Sequence, residues 1–232
     1  IPYPKVCLYE QSLHYIEKEL IMSKTLIIGA SGQIGKMATK LLLENEQNVV
    51  ALVRDKSKLH DLDSPFLSIV EQDLEGDFSN AINGCDQVIF AAGSGGSTGT
   101  DKTVLIDLWA ATRAATYSKE QGVKHFIMVS SIGADDPDAI DSDLKPYLVA
   151  KHIADEHLIH SGLNYTIVRP GTLTDESASL EVTTERPSDQ SKAKISRENV
   201  ANALLHVATN SFNSNRIFEL FDGDKPIKAA IK

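Results

Sequence analysis

Cysteine is scarce in this chain of 232 residues, which has only Cys7 and Cys85. Two cysteines are too few for a disulfide framework and suit a reducing compartment, so we expect a cytoplasmic protein. The sequence also lacks any run of about 18 apolar residues, the length that a membrane-spanning helix requires. We therefore predict that the protein has no membrane partner.

Positive charge is also in short supply. Lysine and arginine number 23 against 32 aspartate and glutamate residues, which gives a net charge of −9. A general nucleic-acid binder presents a basic face, so we predict no nucleic-acid partner. Apolar residues make up 42% of the chain, enough for a folded α/β domain with a substantial core.

Short apolar runs alternate with segments of helical spacing. The apolar runs predict strands at 24–30, 48–54, 67–70, 87–93, 124–131 and 164–171, and the intervening pattern predicts helices at 33–45, 101–121 and 144–161. The strands are continuously apolar, as parallel strands covered on both faces are. We therefore predict the α/β class, with a doubly wound parallel sheet of the Rossmann type.

Domain organisation follows from the extent of this pattern. Residues 22–232 are predicted to form a single nucleotide-binding domain, in which 172–232 build a small lobe on the substrate side. Residues 1–21 have no place in this fold. We hypothesise that Met22 is the natural start and that the preceding residues are an extension, which intact-mass analysis of protein from the native host would decide.

Three glycines, Gly29, Gly32 and Gly35, follow the first predicted strand and open the first predicted helix. This is the context that a dinucleotide-binding fingerprint requires. Glycine allows a tight turn and leaves no Cβ atom to obstruct a pyrophosphate, and the start of a helix attracts anions. A glycine-rich turn without a ligand is the alternative interpretation.

The residue type at the end of the second predicted strand bears on the cofactor. NAD-preferring sites place an acid there for the ribose 2′-hydroxyl, whereas this chain has Arg54 followed by Asp55. Because a guanidinium suits a 2′-phosphate, we predict NADP(H) in preference to NAD(H). The alternative is that Arg54 is a solvated strand end and Asp55 serves the ribose.

Tyr147 and Lys151 are four residues apart in a predicted helix and therefore share a face. A lysine ammonium beside a phenol favours the phenolate, so Tyr147 can act as a proton donor or acceptor. Ser130 and Ser131 end the preceding strand at the ligand-binding edge, where Ser131 can orient a substrate oxygen toward Tyr147. A turn or helix cap is the alternative role for either serine.

Taken together, these motifs resemble the short-chain dehydrogenases/reductases. The resemblance is to the atypical or extended branch, with NAD(P)-binding, NmrA-like and NAD-dependent epimerase/dehydratase-like character. It covers residues 23–227 and rests on GASGQIG, ALVRD, QDL, FAAGSGG, VSS, YLVAK and VRPG. Two departures are the G-x-x-G-x-x-G spacing, which differs from that of the commonest branch, and the lack of a helix-borne asparagine matching that branch's proton relay.

The resemblance implies roles by position. It implies a catalytic set of Ser131, Tyr147 and Lys151. It implies that the cofactor contacts Gly29, Ser31, Gly32, Gln33, Ile34, Gly35, Arg54, Asp73, Leu74, Ala91, Ala92, Gly93, Lys151, Pro170, Gly171 and Thr172.

The resulting prediction is an oxidoreductase that transfers a hydride between a nicotinamide and a small carbonyl or alcohol substrate. The alternatives are an epimerase or dehydratase, a flavin or quinone reductase, and an NADP(H)-binding redox sensor without turnover. We predict no metal site, because His152, His157 and His160 do not share one helix face. The helices at 101–121 and 144–161 can pair in a homodimer, although a monomer is equally compatible with the sequence.

Overall fold

The computed structural model describes residues 23–95, 98–140, 142–210 and 215–232, so the predicted extension at 1–21 lies outside the described part of the chain. Elements are numbered in chain order. The strands are β1 (Lys24–Ile28), β2 (Asn48–Val53), β3 (Leu67–Glu71), β4 (Gln87–Phe90), β5 (His125–Val129), β6 (Tyr165–Pro170), β7 (Thr172–Thr174), β8 (Glu181–Thr183), β9 (Lys194–Ser196), β10 (Arg216–Asp222) and β11 (Lys225–Pro226). The helices are α1 (Gln33–Glu44), α2 (Thr100–Lys102), a π-helical segment (Thr103–Ala110), α3 (Ala111–Glu120), α4 (Lys145–His160), α5 (Arg197–Thr209) and α6 (Ile227–Ala230).

The main sheet of the described residues has nine strands in the order β11-β8-β10-β6-β5-β4-β1-β2-β3. The seven strands from β10 to β3 are parallel, and β8 and β11 add an antiparallel edge. The strand order reverses between β1 and β4, and ligands of such sheets bind in the crevice at the carboxyl ends of the strands there. The predicted doubly wound parallel sheet is therefore confirmed.

The core has two layers, one on each face of the sheet. Successive side chains of a strand point to opposite faces, so Leu26 and Ile28 of β1 join one cluster while Ile27 joins the other. The first cluster includes Ala114 of α3 and Leu158 of α4, whereas the second includes side chains from α1 and α5. Both faces are covered by helices, which explains why the strands are apolar without alternation.

The observed strands end earlier than the sequence predicts. β1 ends at Ile28 because Gly29 takes a positive φ of 88° that turns the chain out of the sheet. Likewise β4 ends at Phe90 and β5 at Val129, short of the predicted residues 93 and 131. The apolar and small residues beyond these ends form turns at the carboxyl edge of the sheet.

The predicted helix at 101–121 is interrupted by the π-helical segment. Helical spacing in this range predicts an apolar side made of Val104, Leu105, Leu108 and Trp109, but Val104 and Trp109 are 49% and 54% exposed. The buried residues of this segment are instead Thr103, Ile106, Asp107 and Ala110. Hydrogen bonding from i to i+5 changes which positions face inward, and a 3.6-residue period does not anticipate that change.

Of the strands after β6, β8, β10 and β11 extend the main sheet, while β7 and β9 form a separate two-stranded sheet. β7 follows β6 directly and pairs in parallel with β9, which leads into α5. Ser196 caps α5 by accepting a hydrogen bond from the backbone N–H of Asn199 at 3.1 Å. Within the described ranges, no helix is both long and apolar enough to cross a membrane.

Candidate functional site

The junction between β1 and α1 is built by two glycines that the fold itself requires. A Cβ atom on Gly29 would lie 2.6 Å from the Cα atom of Ala92, and one on Gly35 would overlap the carbonyl oxygen of Gly29. Gly32 differs, because its φ is −73° and an added Cβ would meet only the Gly29 carbonyl oxygen at 3.3 Å. Gly32 is exposed at the start of α1, so it leaves the helix terminus open to a ligand.

One cavity of about 300 Å³ lies against this junction. Among the predicted cofactor residues, its lining contains Gly29, Ser31, Gly32, Arg54, Leu74, Ala91, Ala92 and Gly93. Two cations that the sequence analysis did not select, Lys58 and Lys102, join Arg54 in the lining. Three cations and an open helix start suit the phosphates of a dinucleotide, so the residues present fit such a cofactor.

Asp55, the alternative ribose partner, is engaged locally. Its carboxylate accepts hydrogen bonds from the backbone N–H and the hydroxyl of Ser57, at 2.9 and 2.6 Å. These two bonds cap a short 3₁₀ turn at Lys56–Leu59 and lower the pKa of the Asp55 carboxyl. Arg54, in contrast, is exposed at the end of β2.

A second, larger cavity of about 600 Å³ shares Ala91, Ala92 and Gly93 with the first, so the two cavities adjoin. The predicted residues in its lining are Gln33, Ile34, Ala91, Ala92, Gly93, Ser131, Tyr147, Lys151, Pro170 and Gly171. They come from the starts of α1 and α4 and from the carboxyl ends of β4, β5 and β6. The topology thus brings together the predicted catalytic set and part of the predicted cofactor set in one space.

The predicted catalytic pair differs in exposure. Lys151 is only 2% exposed, and its Nζ donates a hydrogen bond to the backbone oxygen of Val129 at 2.7 Å. This bond fixes a buried ammonium beneath the end of β5. Tyr147 lies one turn earlier on α4, is half-buried and lines the same cavity. The predicted pair therefore lies in one cavity, with Lys151 buried and Tyr147 partly accessible.

The two serines after β5 have different partners. Ser130 is buried and donates to Asp155 Oδ2 at 2.8 Å, whereas Ser131 donates to the backbone oxygen of Ile132 at 3.1 Å. Asp155 is fully buried and also accepts a hydrogen bond from Arg169 Nε at 3.1 Å. Burial raises the pKa of the Asp155 carboxyl, and Ser130, Lys151 and Arg169 oppose that shift. Ser131 is therefore the less constrained hydroxyl in the cavity.

Three further charged residues, Asp107, Asp143 and Arg197, line the larger cavity and are not among the site residues predicted from the sequence. Asp107, in the π-helical segment, is 1% exposed and accepts a hydrogen bond from the backbone N–H of Ser94 at 3.0 Å. It thereby ties the turn after β4 to the helix. Arg197, at the start of α5, lines the same cavity. None of them belongs to a recognisable motif. The one signal in the sequence that could have pointed to Asp107 is its charge within an apolar helix segment.

Three predicted residues stand outside both cavity linings. Gly35 is buried at the β1–α1 packing contact, where its lack of a Cβ atom lets the helix approach Gly29. The carboxylate of Asp73 accepts the backbone N–H of Glu75 at 3.0 Å, while its neighbour Leu74 does line the smaller cavity. Thr172 is exposed in β7, where it pairs with Lys194.

Comparison with known proteins agrees with this geometry. Residues 29–211 match a protein family described as NAD(P)H-binding. The chain is 41% identical over 213 residues to the uncharacterized sugar epimerase YhfK of Bacillus subtilis (strain 168), an alignment that covers 90% of this chain and 99% of that protein. Among solved structures, a provisionally named NAD-dependent epimerase/dehydratase from Bacillus halodurans superposes with a TM-score of 0.85 at 38% identity, over 90% of this chain and 98% of the other. The oxidoreductase ylbE from Lactococcus lactis gives a TM-score of 0.79 at 26% identity, over 89% and 94% of the two chains.

Proposed function

Because the chain belongs to the NAD(P)H-binding family, within the NmrA-like and epimerase-like branch of the short-chain dehydrogenases/reductases, we propose that it is an oxidoreductase in which Tyr147 is the acid and base. The observation that carries the proposal is the lining of the larger cavity, which holds Ser131, Tyr147 and Lys151 together with Gln33 and Ile34 from the cofactor-binding helix. The substrate class is a small carbonyl or alcohol compound.

The residues of the chain divide the work of such a reaction. The nicotinamide nucleotide, when bound, supplies or accepts the hydride. Ser131 donates a hydrogen bond to the substrate oxygen and holds it toward Tyr147. The Tyr147 hydroxyl gives a proton to that oxygen during reduction and takes it back during oxidation. Lys151, fixed on the backbone oxygen of Val129, supplies a positive charge in the same cavity as Tyr147.

NADP(H) is the proposed cofactor. Arg54, Lys58 and Lys102 line the smaller cavity; because Lys102 is already paired with Glu75, Arg54 and Lys58 are the cations proposed to neutralise the 2′-phosphate that NAD(H) lacks. The Asp55 carboxylate is turned to Ser57, which argues against the alternative in which it holds the ribose. The backbone from Gly29 to Gly35 is the proposed site of the pyrophosphate.

Replacing Tyr147 with phenylalanine tests the proposed chemistry. We expect the variant to lose at least about a hundredfold in kcat, because general acid–base catalysis typically contributes that much or more, and to keep its affinity for NADPH. Turnover is measured by NADPH absorbance with a panel of carbonyl, alcohol and quinone substrates. Unchanged turnover in Tyr147→Phe would exclude Tyr147 as the acid and favour a flavin or quinone reductase instead.

An epimerase is the second candidate, favoured by the similarity to YhfK and to the Bacillus halodurans protein. The same three side chains support a transient oxidation followed by reduction of the substrate. The two functions differ in the net consumption of nucleotide: an epimerase isomerises its substrate with no net change in NADPH, whereas an oxidoreductase consumes one nucleotide for each product. A parent protein that binds NADPH but turns over no compound would instead support a redox-sensing role.

A further inference from the structure

Arg197 places a cation in the larger cavity that the proposed reaction does not use. It is the first residue of α5, and its side chain is 22% exposed while lining the cavity opposite α4. A guanidinium has five N–H donors in a planar fork that fits carboxylate and phosphate groups. A largely buried arginine facing a ligand cavity therefore needs an anionic partner.

The structure shows such a partner in the form of Asp175. Its Oδ1 accepts a hydrogen bond from a terminal guanidinium nitrogen of Arg197 at 2.8 Å and another from Gln33 Nε2 at 3.3 Å. Gln33 is the first residue of α1, immediately after Gly32, and it also lines the larger cavity. Arg197 and Gln33, which both line the larger cavity, thus share one acceptor, the Asp175 carboxylate.

This carboxylate is weakly held. The Asp175 side chain is 75% exposed, and exposed ion pairs contribute little to stability. Arg197 uses one of its donors on Asp175, and its guanidinium makes no other hydrogen bond within the described residues. An incoming anion could therefore replace Asp175 at small cost and use more of the guanidinium.

We propose that Arg197 and Gln33 form an anion-binding site in the larger cavity, which takes a carboxylate or phosphate group of the ligand, and that Asp175 occupies it as an intramolecular stand-in. The inference rests on the proposed function and deepens it, because it names a charge class for a ligand of the same cavity. Asp143 lines the α4 side of that cavity and would repel an anion there. The anionic group therefore lies at the Gln33–Arg197 end.

Two sources can supply this anion: the cofactor pyrophosphate near α1, or an acidic substrate. The two are distinguished by separate titrations of the full chain. Affinity for NADPH is measured by nucleotide fluorescence, and affinity for malonate, as a carboxylate probe, is measured by calorimetry with and without saturating NADPH. If the site binds the cofactor, Arg197→Met changes the affinity for NADPH. If the site binds the substrate, Arg197→Met changes the affinity for malonate in the presence of NADPH.

Three variants test the site. Arg197→Met should weaken the affinity for NADPH or for malonate at least about tenfold, because hydrogen bonds between a guanidinium and an anion are stronger than those between neutral groups. Asp175→Asn should tighten it by roughly twofold to fivefold, because it removes the competing carboxylate. A tightening cannot arise from misfolding, so this second variant keeps the test decisive if Arg197→Met is unstable.

The neighbouring pair Lys194–Glu176 supplies matched controls, since its side chains meet at 3.3 Å, are exposed and stand outside both cavity linings. Lys194→Met and Glu176→Gln change the same local charges and should leave both affinities within about twofold. The proposal is overturned if Arg197→Met changes neither affinity more than Lys194→Met does, or if Asp175→Asn fails to tighten either. Absence of NADPH binding by the parent would instead refute the proposed function, while malonate binding without nucleotide would still report on the anion site.

Discussion

Arg54 is the single side chain on which the choice of nucleotide most depends. It is exposed at the end of β2 beside the smaller cavity, with Lys58 and Lys102 in the same lining. Reversing its charge in Arg54→Glu should repel a 2′-phosphate and weaken NADPH binding at least about tenfold, with NADH binding changed by less than about threefold. Fluorescence titration with both reduced nucleotides measures this, and Lys40→Glu on the outer side of α1 is the control. An equal loss for the two nucleotides would count against a 2′-phosphate contact at Arg54.

His125 couples the stability of the sheet to pH. Burial lowers the pKa of this imidazole from 6.5 to about 4, and its Nε2 lies 3.0 Å from the Thr166 hydroxyl on the adjacent strand. Between these two pH values the unfolded chain binds more protons than the folded one, so stability is complete above pH 6.5 and falls as the pH drops toward 4. The loss is at most about 3 kcal/mol.

The measurement is urea unfolding of the parent and of His125→Gln, which cannot titrate, at about pH 7 and about pH 5. We expect the free energy of unfolding of the parent to fall relative to that of His125→Gln at the lower pH. His60→Gln, at an exposed position, should retain the parent's pH dependence. A constant difference between parent and His125→Gln at both pH values would show that His125 does not carry the effect.

The predicted site residues belong to sequence motifs, whereas cavity residues outside such motifs were not predicted. Tyr147 and Lys151 are linked by helical spacing, and the glycines by their position after a strand. Asp107 and Arg197 have no such neighbours, because their positions in the cavity result from contacts between segments far apart in the chain. Long-range placement of this kind leaves no local pattern in the sequence.

At the scale of elements, the β1–α1 junction separates glycines needed for packing from the glycine open to a ligand. Gly35→Ala would force a methyl group onto the Gly29 carbonyl oxygen and should destabilise the fold by about 3 kcal/mol. Gly32→Ala meets that oxygen only at 3.3 Å and should cost within about 1 kcal/mol, while weakening NADPH binding at least about tenfold by obstructing the pyrophosphate.

Urea unfolding and fluorescence titration check the two effects separately. Gly84→Ala serves as a control, because Gly84 has a positive φ of 70° but no neighbour within 4 Å of an added Cβ atom, and it stands outside both cavity linings. It should lose some stability and keep full affinity for NADPH. Retained binding in Gly32→Ala would contradict a pyrophosphate at this helix start.

Within the described residues from 23 to 170, the main strands and helices were predictable because continuous apolar runs and helical spacing are strong local signals. The strand ends were not, since Gly29 and the small residues after β4 leave the sheet through turn geometry that apolar character does not reveal. The π-helical segment was not predicted either, because a 3.6-residue period does not reveal hydrogen bonding from i to i+5. The pairing of β7 with β9 depends on tertiary contact between short polar strands, which carry almost no periodic signal.

For the whole molecule, the parallel topology explains how distant residues converge. The carboxyl ends of β1, β4, β5 and β6 meet at one edge of the sheet, so the residues that follow each strand line adjoining cavities. Arg197, at the start of α5, also lines the larger cavity. The general location of the site therefore follows from the fold class, whereas the charged residues of the larger cavity come from several elements: Asp107, Asp143 and Lys151 precede β6, and Arg197 follows it.

An exposed apolar surface on the π-helical segment and α4 predicts self-association. These two elements pack against each other, and they leave Val104, Trp109, Val149 and Ile153 between 38% and 54% exposed. Large exposed apolar side chains gathered on neighbouring helices are typical of protein interfaces. We expect a homodimer that buries this surface.

Sedimentation velocity across a concentration series measures the association. Trp109→Glu and Ile153→Glu should each shift the protein to monomer by weakening the dimer at least about a hundredfold, because each places a charge in an apolar interface. Ile69→Glu is the matched control, since Ile69 is 40% exposed on β3, on other elements of the fold. A parent that sediments as a monomer at all concentrations would refute the dimer. If Ile69→Glu dissociates the dimer as strongly as Trp109→Glu and Ile153→Glu do, the contact does not lie on the surface shared by Trp109 and Ile153.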